Sequence, residues 1–140
     1  MLLYLDASAI VKLVLDEPES DALRASIGDA DLVSCELVLA EVPRAVLRAV
    51  AADPTLPRDL LMSRVEQVID SMALAPLDRA LLLAAGALDD LALRALDAIH
   101  VVAAIDLWPL DAFVTYDERQ GAAARLAGIR TIAPSSTDPR

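Results

Sequence analysis

A chain of 140 residues with 56% apolar side chains suits one domain that buries roughly two thirds of its unfolded surface. Twelve Lys and Arg against 22 Asp and Glu leave a formal charge of −10, which excludes nucleic-acid binding through a broadly basic face. The single cysteine, Cys35, excludes an intramolecular disulfide, and no uncharged run reaches the roughly 18 residues of a membrane span.

Short apolar runs alternate with helical stretches, the pattern of βα units and of a parallel sheet flanked by helices. Residues 2–6 read as a first buried strand, followed by a helix over 9–15. Ser20 is expected to cap a helix over 21–27 that Gly28 ends. A second strand is expected over 31–34 and a long helix over 36–52, which Asp53-Pro54-Thr55-Leu56-Pro57 stops before a helix over 58–71. A third strand is expected over 72–75, and Asp78 is expected to cap a helix to about Leu88. Residues 96–107 form the next helix, which Trp108-Pro109 closes. A fourth strand over 112–116, a helix over 118–127 ended by Gly128, and a fifth strand over 130–133 complete an α/β domain of residues 1–133 with four to five strands. The polar, proline-flanked tail 134–140 is expected to fray. Asp6 and Lys12 interrupt the apolar amino terminus, so no secretory signal is expected and the cytoplasm is the expected compartment.

Four acids stand out against this background. Asp6 closes the first strand and Asp117 directly follows the fourth, and ligand sites in parallel α/β sheets open at those strand ends. Glu41 and Asp97 interrupt otherwise apolar helical patterns, where a lone carboxylate is costly to bury without a partner. If the four converge, like charges about 4 Å apart repel by roughly 4 kcal/mol per pair at an effective dielectric near 20, and protons or cations must relieve that. A hard divalent ion, Mg²⁺ or Mn²⁺, suits an all-oxygen donor set, and such ions serve phosphodiester cleavage. Arg44, Arg48, Arg94 and Arg119 lie close in sequence to three of the acids and could hold phosphates or stand as solvated helix-face residues.

Other residues admit plainer readings. Pro43, two residues after Glu41, removes a backbone hydrogen bond from a helix interior and could re-aim Glu41 through a kink. His100 shares a helix side with Asp97, but a lone His on an apolar helix is read as a packed or hydrogen-bonded residue rather than a catalytic base. Trp108 and Phe113 are expected to pack in the core rather than stack on bases, and Cys35 is expected to be unreactive.

The segments Leu5-Asp6-Ala7-Ser8-Ala9, Leu96-Asp97-Ala98-Ile99-His100 and Val114-Thr115-Tyr116-Asp117, with Glu41 after the second strand, follow one another in an order that resembles the PIN-domain ribonucleases, and among them the VapC toxins of prokaryotic toxin–antitoxin pairs. The resemblance covers nearly the whole chain. It implies a single PIN-like domain whose acidic Mg²⁺ or Mn²⁺ site hydrolyses RNA phosphodiesters. Asp6, Glu41, Asp97 and Asp117 match the family's acidic positions: Asp6 as a direct ligand able to bridge two ions, Asp97 and Asp117 as ligands directly or through water, and Glu41 as a ligand or an orienter of the attacking water. Ser8 and Thr115 are candidates to hold those carboxylates from behind, or else an ordinary cap and strand hydroxyl. A small VapB-like antitoxin, docking a helix on amphipathic surfaces such as helices 21–27 and 58–71, and a homodimer are implied as partners. Two other classes stay open: an Asp-based metal-dependent phosphatase, although Asp6-Ala7-Ser8 lacks a second Asp two residues on and Lys12 is the only lysine, and a catalytically silent partner-binding domain.

Overall fold

Alternation along Leu3-Tyr4-Leu5 sets the layering, because successive side chains of a strand point to opposite faces of the sheet. Leu3 and Leu5 enter one apolar core and Tyr4 the other, and all three are buried. A parallel sheet covered on both faces explains why its strands read as continuous apolar runs. The computed structural model describes residues 1–136. Its elements are β1 (Leu2–Leu5), α1 (Ala7–Val14), α2 (Ser20–Ile27), β2 (Asp31–Cys35), α3 (Val38–Ala52), α4 (Arg58–Asp70), β3 (Ala73–Ala75), α5 (Arg79–Gly86), α6 (Ala95–Asp106), β4 (Ala112–Val114), α7 (Glu118–Leu126) and β5 (Thr131–Ile132).

The five strands are parallel in the order β3-β2-β1-β4-β5. Helices α1, α3 and α4 cover the Leu3 and Leu5 face with Ile10, Val14, Val42, Val46, Leu61 and Val65. Helices α5, α6 and α7 cover the Tyr4 face with Leu81, Ile99, Val102 and Ala124. Helix α6 is buried from Ala98 through Ala104, which explains its nearly uninterrupted apolar sequence. Phe113 of β4 stacks on Tyr4 with ring centroids 5.1 Å apart, as expected of a core residue.

Several boundaries differ from the sequence expectation for identifiable reasons. Ser20 is the first helical residue rather than the cap; its hydroxyl donates to the Leu15 carbonyl and accepts from the Glu17 amide, so it ties down the turn before α2. Strand β4 runs only to Val114: the Thr115 amide still donates to the Ile132 carbonyl, but the Tyr116 amide turns to the Ser8 hydroxyl of α1 and the Asp117 amide to the Thr115 hydroxyl. Helix α3 runs on through Pro43; the proline costs the hydrogen bond to the Leu39 carbonyl but does not end the helix, and Glu41 stays in its first turn. Trp108 is 59% exposed in the turn after α6 and is not a core residue. The apolar stripe of α4, Leu61, Val65 and Ile69, is consumed by the domain's own core, so that face is not open to a partner helix. Pro134 is buried and its carbonyl accepts the Tyr116 hydroxyl at 2.8 Å, so the polar tail is tied at its start, while residues 137–140 lie outside the described residues. No helix among the described residues is long and apolar enough to cross a membrane.

Candidate active site

Strands β1 to β3 build outward on one side of the sheet and β4 and β5 on the other, so the crevice at the carboxyl ends of β1 and β4 is the topological switch point where open α/β sheets place ligands. Leu5 and Val114 are register partners there, and the Asp6 amide donates to the Val114 carbonyl at 3.2 Å. Each strand then turns into a helix through an acid. Asp6 leaves β1 in an extended conformation and caps α1, its Oδ1 accepting from the Ala9 amide at 3.0 Å. Asp117 caps α7 by accepting from the Arg119 and Gln120 amides at 2.9 and 3.0 Å. Both acids are therefore placed by ordinary N-cap chemistry.

Asp6 has no solvent exposure. Besides the Ala9 amide, it accepts the Ser8 hydroxyl at 2.7 Å on Oδ1 and the Thr115 hydroxyl at 2.6 Å on Oδ2. Those hydroxyls are themselves acceptors, Ser8 for the Tyr116 amide and Thr115 for the Asp117 amide, each at 3.0 Å. Ser8 and Thr115 thus lock Asp6 to the loop that carries Asp117. Burial pushes the Asp6 carboxyl above its ordinary value, although the Thr115, Ser8 and Ala9 bonds and the His100 charge pull the other way. Replacing Thr115 with valine keeps the shape but leaves the Asp117 amide unpaired and a buried carboxylate oxygen short of its donor. We expect a loss of about 2 kcal/mol in urea unfolding, whereas an unchanged midpoint would mean that the hydroxyl carries no structural weight.

Glu41, Asp97 and Asp117 line one pocket of about 490 Å³, together with Arg94, Arg119 and Tyr116. Glu41 is held by His100, whose Nε2 lies 2.7 Å from its carboxylate and whose Nδ1 lies 2.8 Å from the Tyr4 hydroxyl. His100 is buried at 1% exposure. Burial alone would lower its pKa, but the contacts with Cys35 and Glu41 raise it to about 10, so the ring is charged at neutral pH and donates from both nitrogens. The buried Cys35 thiol, 3.8 Å from Nδ1, is correspondingly drawn below its usual value against the effect of burial. Asp97 is held by the Gln120 side-chain amide at 3.0 Å.

The structure therefore gathers Glu41, Asp97 and Asp117 around one cavity, with Asp6 behind the loop that carries Asp117 rather than in the lining. Among the described residues, no three His, Cys, Asp or Glu side chains are placed to hold a metal ion jointly. A magnesium ion does not require that, since it keeps several waters and takes one or two carboxylates plus substrate oxygens. The donor set is all oxygen, and Asp6, a buried carboxylate with no cationic side chain in ion-pair contact among the described residues, is a group that a cation would stabilise. Its Oδ2 accepts one hydrogen bond and so retains an acceptor position. The residues present fit a hard divalent cation.

His100 and Gln120 are the positioning residues that sequence reasoning passed over. His100 is packed and hydrogen-bonded, as its apolar helix suggested, but the bond goes to a site acid across the sheet. Gln120 sits in the first turn of α7, where a polar residue reads as exposed; it is 6% exposed, and its Oε1 has no partner.

Residues 3–126 match the PIN domain family. Ribonuclease VapC46 of Mycobacterium tuberculosis is 40% identical over 135 residues, covering 95% of this chain and 98% of that one. From the same species, Ribonuclease VapC47 is 33% identical over 96% and 98% of the two chains, and Ribonuclease VapC35 is 34% identical over 95% and 97%.

Proposed function

Because the chain belongs to the PIN domain family, we propose that it is a VapC-type endoribonuclease, a toxin whose acidic Mg²⁺ or Mn²⁺ site hydrolyses RNA phosphodiester bonds. The observation that carries this reading is the meeting of Glu41, Asp97 and Asp117 on one pocket at the sheet's switch point, with buried Asp6 clasped to the same loop through Thr115. Asp6 and Asp97 would hold the cation directly, and Asp117 and Glu41 would reach it through its waters. The bound ion supplies an acidified water as nucleophile and charge stabilisation at the phosphate.

The chain's own groups position everything else. His100 and Gln120 fix the headings of Glu41 and Asp97, so that neither carboxylate must be ordered when substrate arrives. Arg94 and Arg119, which line the same pocket, would hold the non-bridging oxygens of the scissile phosphate. Glu41 orients the attacking water. A small VapB-like inhibitory protein and a homodimer complete the reading. Leu91 at 97% and Leu126 at 86% exposure, beside one cleft, offer apolar surface for such contacts.

The test is cleavage of labelled total RNA by purified protein in Mg²⁺, in Mn²⁺ and in EDTA. Discrete fragments are expected with either ion, none in EDTA, and full recovery when Mg²⁺ is added back. Asp97→Asn should lower the rate by about a hundredfold, since several kcal/mol of charge stabilisation pass through the ion it helps hold. A fragment pattern indifferent to EDTA would sink the metal-dependent reading.

A further inference from the structure

The acidic pocket does not end at Glu41. Glu41, Leu96 and Tyr116 line it and also line a second cavity of about 680 Å³ that runs along α3 toward α1. Its floor is apolar, formed by Ala7, Val11, Leu37 and Ala45, while Arg44 and Arg48 stand along its α3 side. Positions 41, 44, 45 and 48 fall on one helix stripe, so the acidic and basic groups follow each other along a single line.

The charges on this groove are unequal in availability. Lys12, also in the lining, is bound by Glu17 and Glu19 and lies 4.8 Å above the Tyr116 ring, so its charge is spent. The guanidinium groups of Arg44 and Arg48 are exposed and, among the described residues, enter no ion pair or hydrogen bond. In a chain of net charge −10, two such arginines on the wall of an apolar groove that opens onto a carboxylate pocket are available to an anionic partner. Four residues of helix separate them by about 6 Å along the axis, the reach of two successive backbone phosphates rather than of one bidentate anion. A cationic wall along an apolar groove that carries an aromatic ring, Tyr116, is an arrangement that can receive an unpaired nucleic-acid strand, phosphates on the wall and a base against the ring.

We propose that the Arg44 and Arg48 groove is a binding subsite for single-stranded RNA, holding the nucleotides on one side of the scissile bond. This rests on the ribonuclease reading for the identity of the adjoining pocket. It assigns two roles within the basic residues: Arg94 and Arg119 serve the reacting phosphate, and Arg44 and Arg48 serve its neighbours. The net negative charge of the protein is then no obstacle, because only one narrow line of the surface needs to attract RNA.

The experiment compares wild type, Arg44→Ala/Arg48→Ala and a control, Arg58→Ala/Arg79→Ala, whose sites lie outside both cavities. Binding of a fluorescent single-stranded oligoribonucleotide is measured in EDTA across salt concentrations, and cleavage of the same RNA in Mg²⁺. Removing two phosphate contacts should flatten the slope of log affinity against log salt by about 1.4. KM should rise on the order of tenfold with kcat little changed, and the control should match wild type. If wild type binds RNA but the double variant binds it with the same affinity and salt slope, the groove is not an RNA subsite, and a protein occupant takes precedence. If wild type binds RNA and loses that binding in the double variant but cleaves nothing, the ribonuclease reading fails while the subsite stands.

Discussion

Asp6→Asn is expected to reduce RNA cleavage by a factor of about 10³ while the protein melts at a temperature equal to or above that of wild type. The activity loss follows from removing a ligand charge worth several kcal/mol at the phosphate, with each tenfold costing about 1.4 kcal/mol. The stability effect has the opposite sign for a physical reason. Burial raises the Asp6 carboxyl pKa above its unfolded value, so between those two values the folded state binds more protons than the unfolded one. Stability contributed by this group therefore falls as pH rises through that window, and at neutral pH the ionised carboxylate is a cost that asparagine lacks. Asparagine keeps an oxygen for Ser8 and the Ala9 amide, and its amide nitrogen can donate to the Thr115 hydroxyl from which the carboxylate accepted. A cation that binds only the folded wild type should reverse the order: at a hundred times its dissociation constant it adds about 2.7 kcal/mol. Calorimetry with and without Mg²⁺ reads both effects; a metal-induced rise in melting temperature that persists in Asp6→Asn would remove Asp6 from the ion's ligands.

The second large effect is expected at His100. Its replacement by leucine strips Glu41 of its charged partner and Tyr4 of a buried hydrogen bond. Breaking a buried pair by removing one member typically costs about 3 kcal/mol or more, and freeing a site carboxylate should slow cleavage by a further 10- to 100-fold. The pH dependence separates this pair from general core damage. The ring's folded pKa of about 10 lies above its ordinary 6.5, so its contribution is complete below about 6.5 and is lost steadily as pH rises toward about 10. Wild type should lose stability across that interval and His100→Leu should not. Parallel pH profiles for the two proteins would show that His100 is neutral in the fold.

The parts of this molecule that could be read directly were those governed by local chemistry. Strand β1 ending at an acid, Asp78 capping α5, and Gly28 terminating α2 with φ of 45° each follow from neighbouring residues alone. Three of the four acids meet on one pocket because parallel strands and their following helices leave little choice about where those positions lie. What escaped were contacts across the sheet. Nothing near His100 announces a carboxylate 59 positions away, and nothing near Thr115 announces Asp6, 109 positions away. Pro43 costs one backbone hydrogen bond, which Val42 and Val46, fully buried against the core, outweigh, so α3 runs on through it.

The two cap residues carry a consequence for how this fold meets a phosphate. In open α/β sheets the amino ends of helices at the carboxyl edge are ready anion sites, because their free amides and dipole offer positive potential. Here Asp6 takes the Ala9 amide of α1, and Asp117 takes the Arg119 and Gln120 amides of α7. The protein has filled its own phosphate cradles with carboxylate and turned the edge from anion-attracting to anion-repelling. Any polyanion that docks there must bring its counter-charge along or find it on side chains beyond the helix ends.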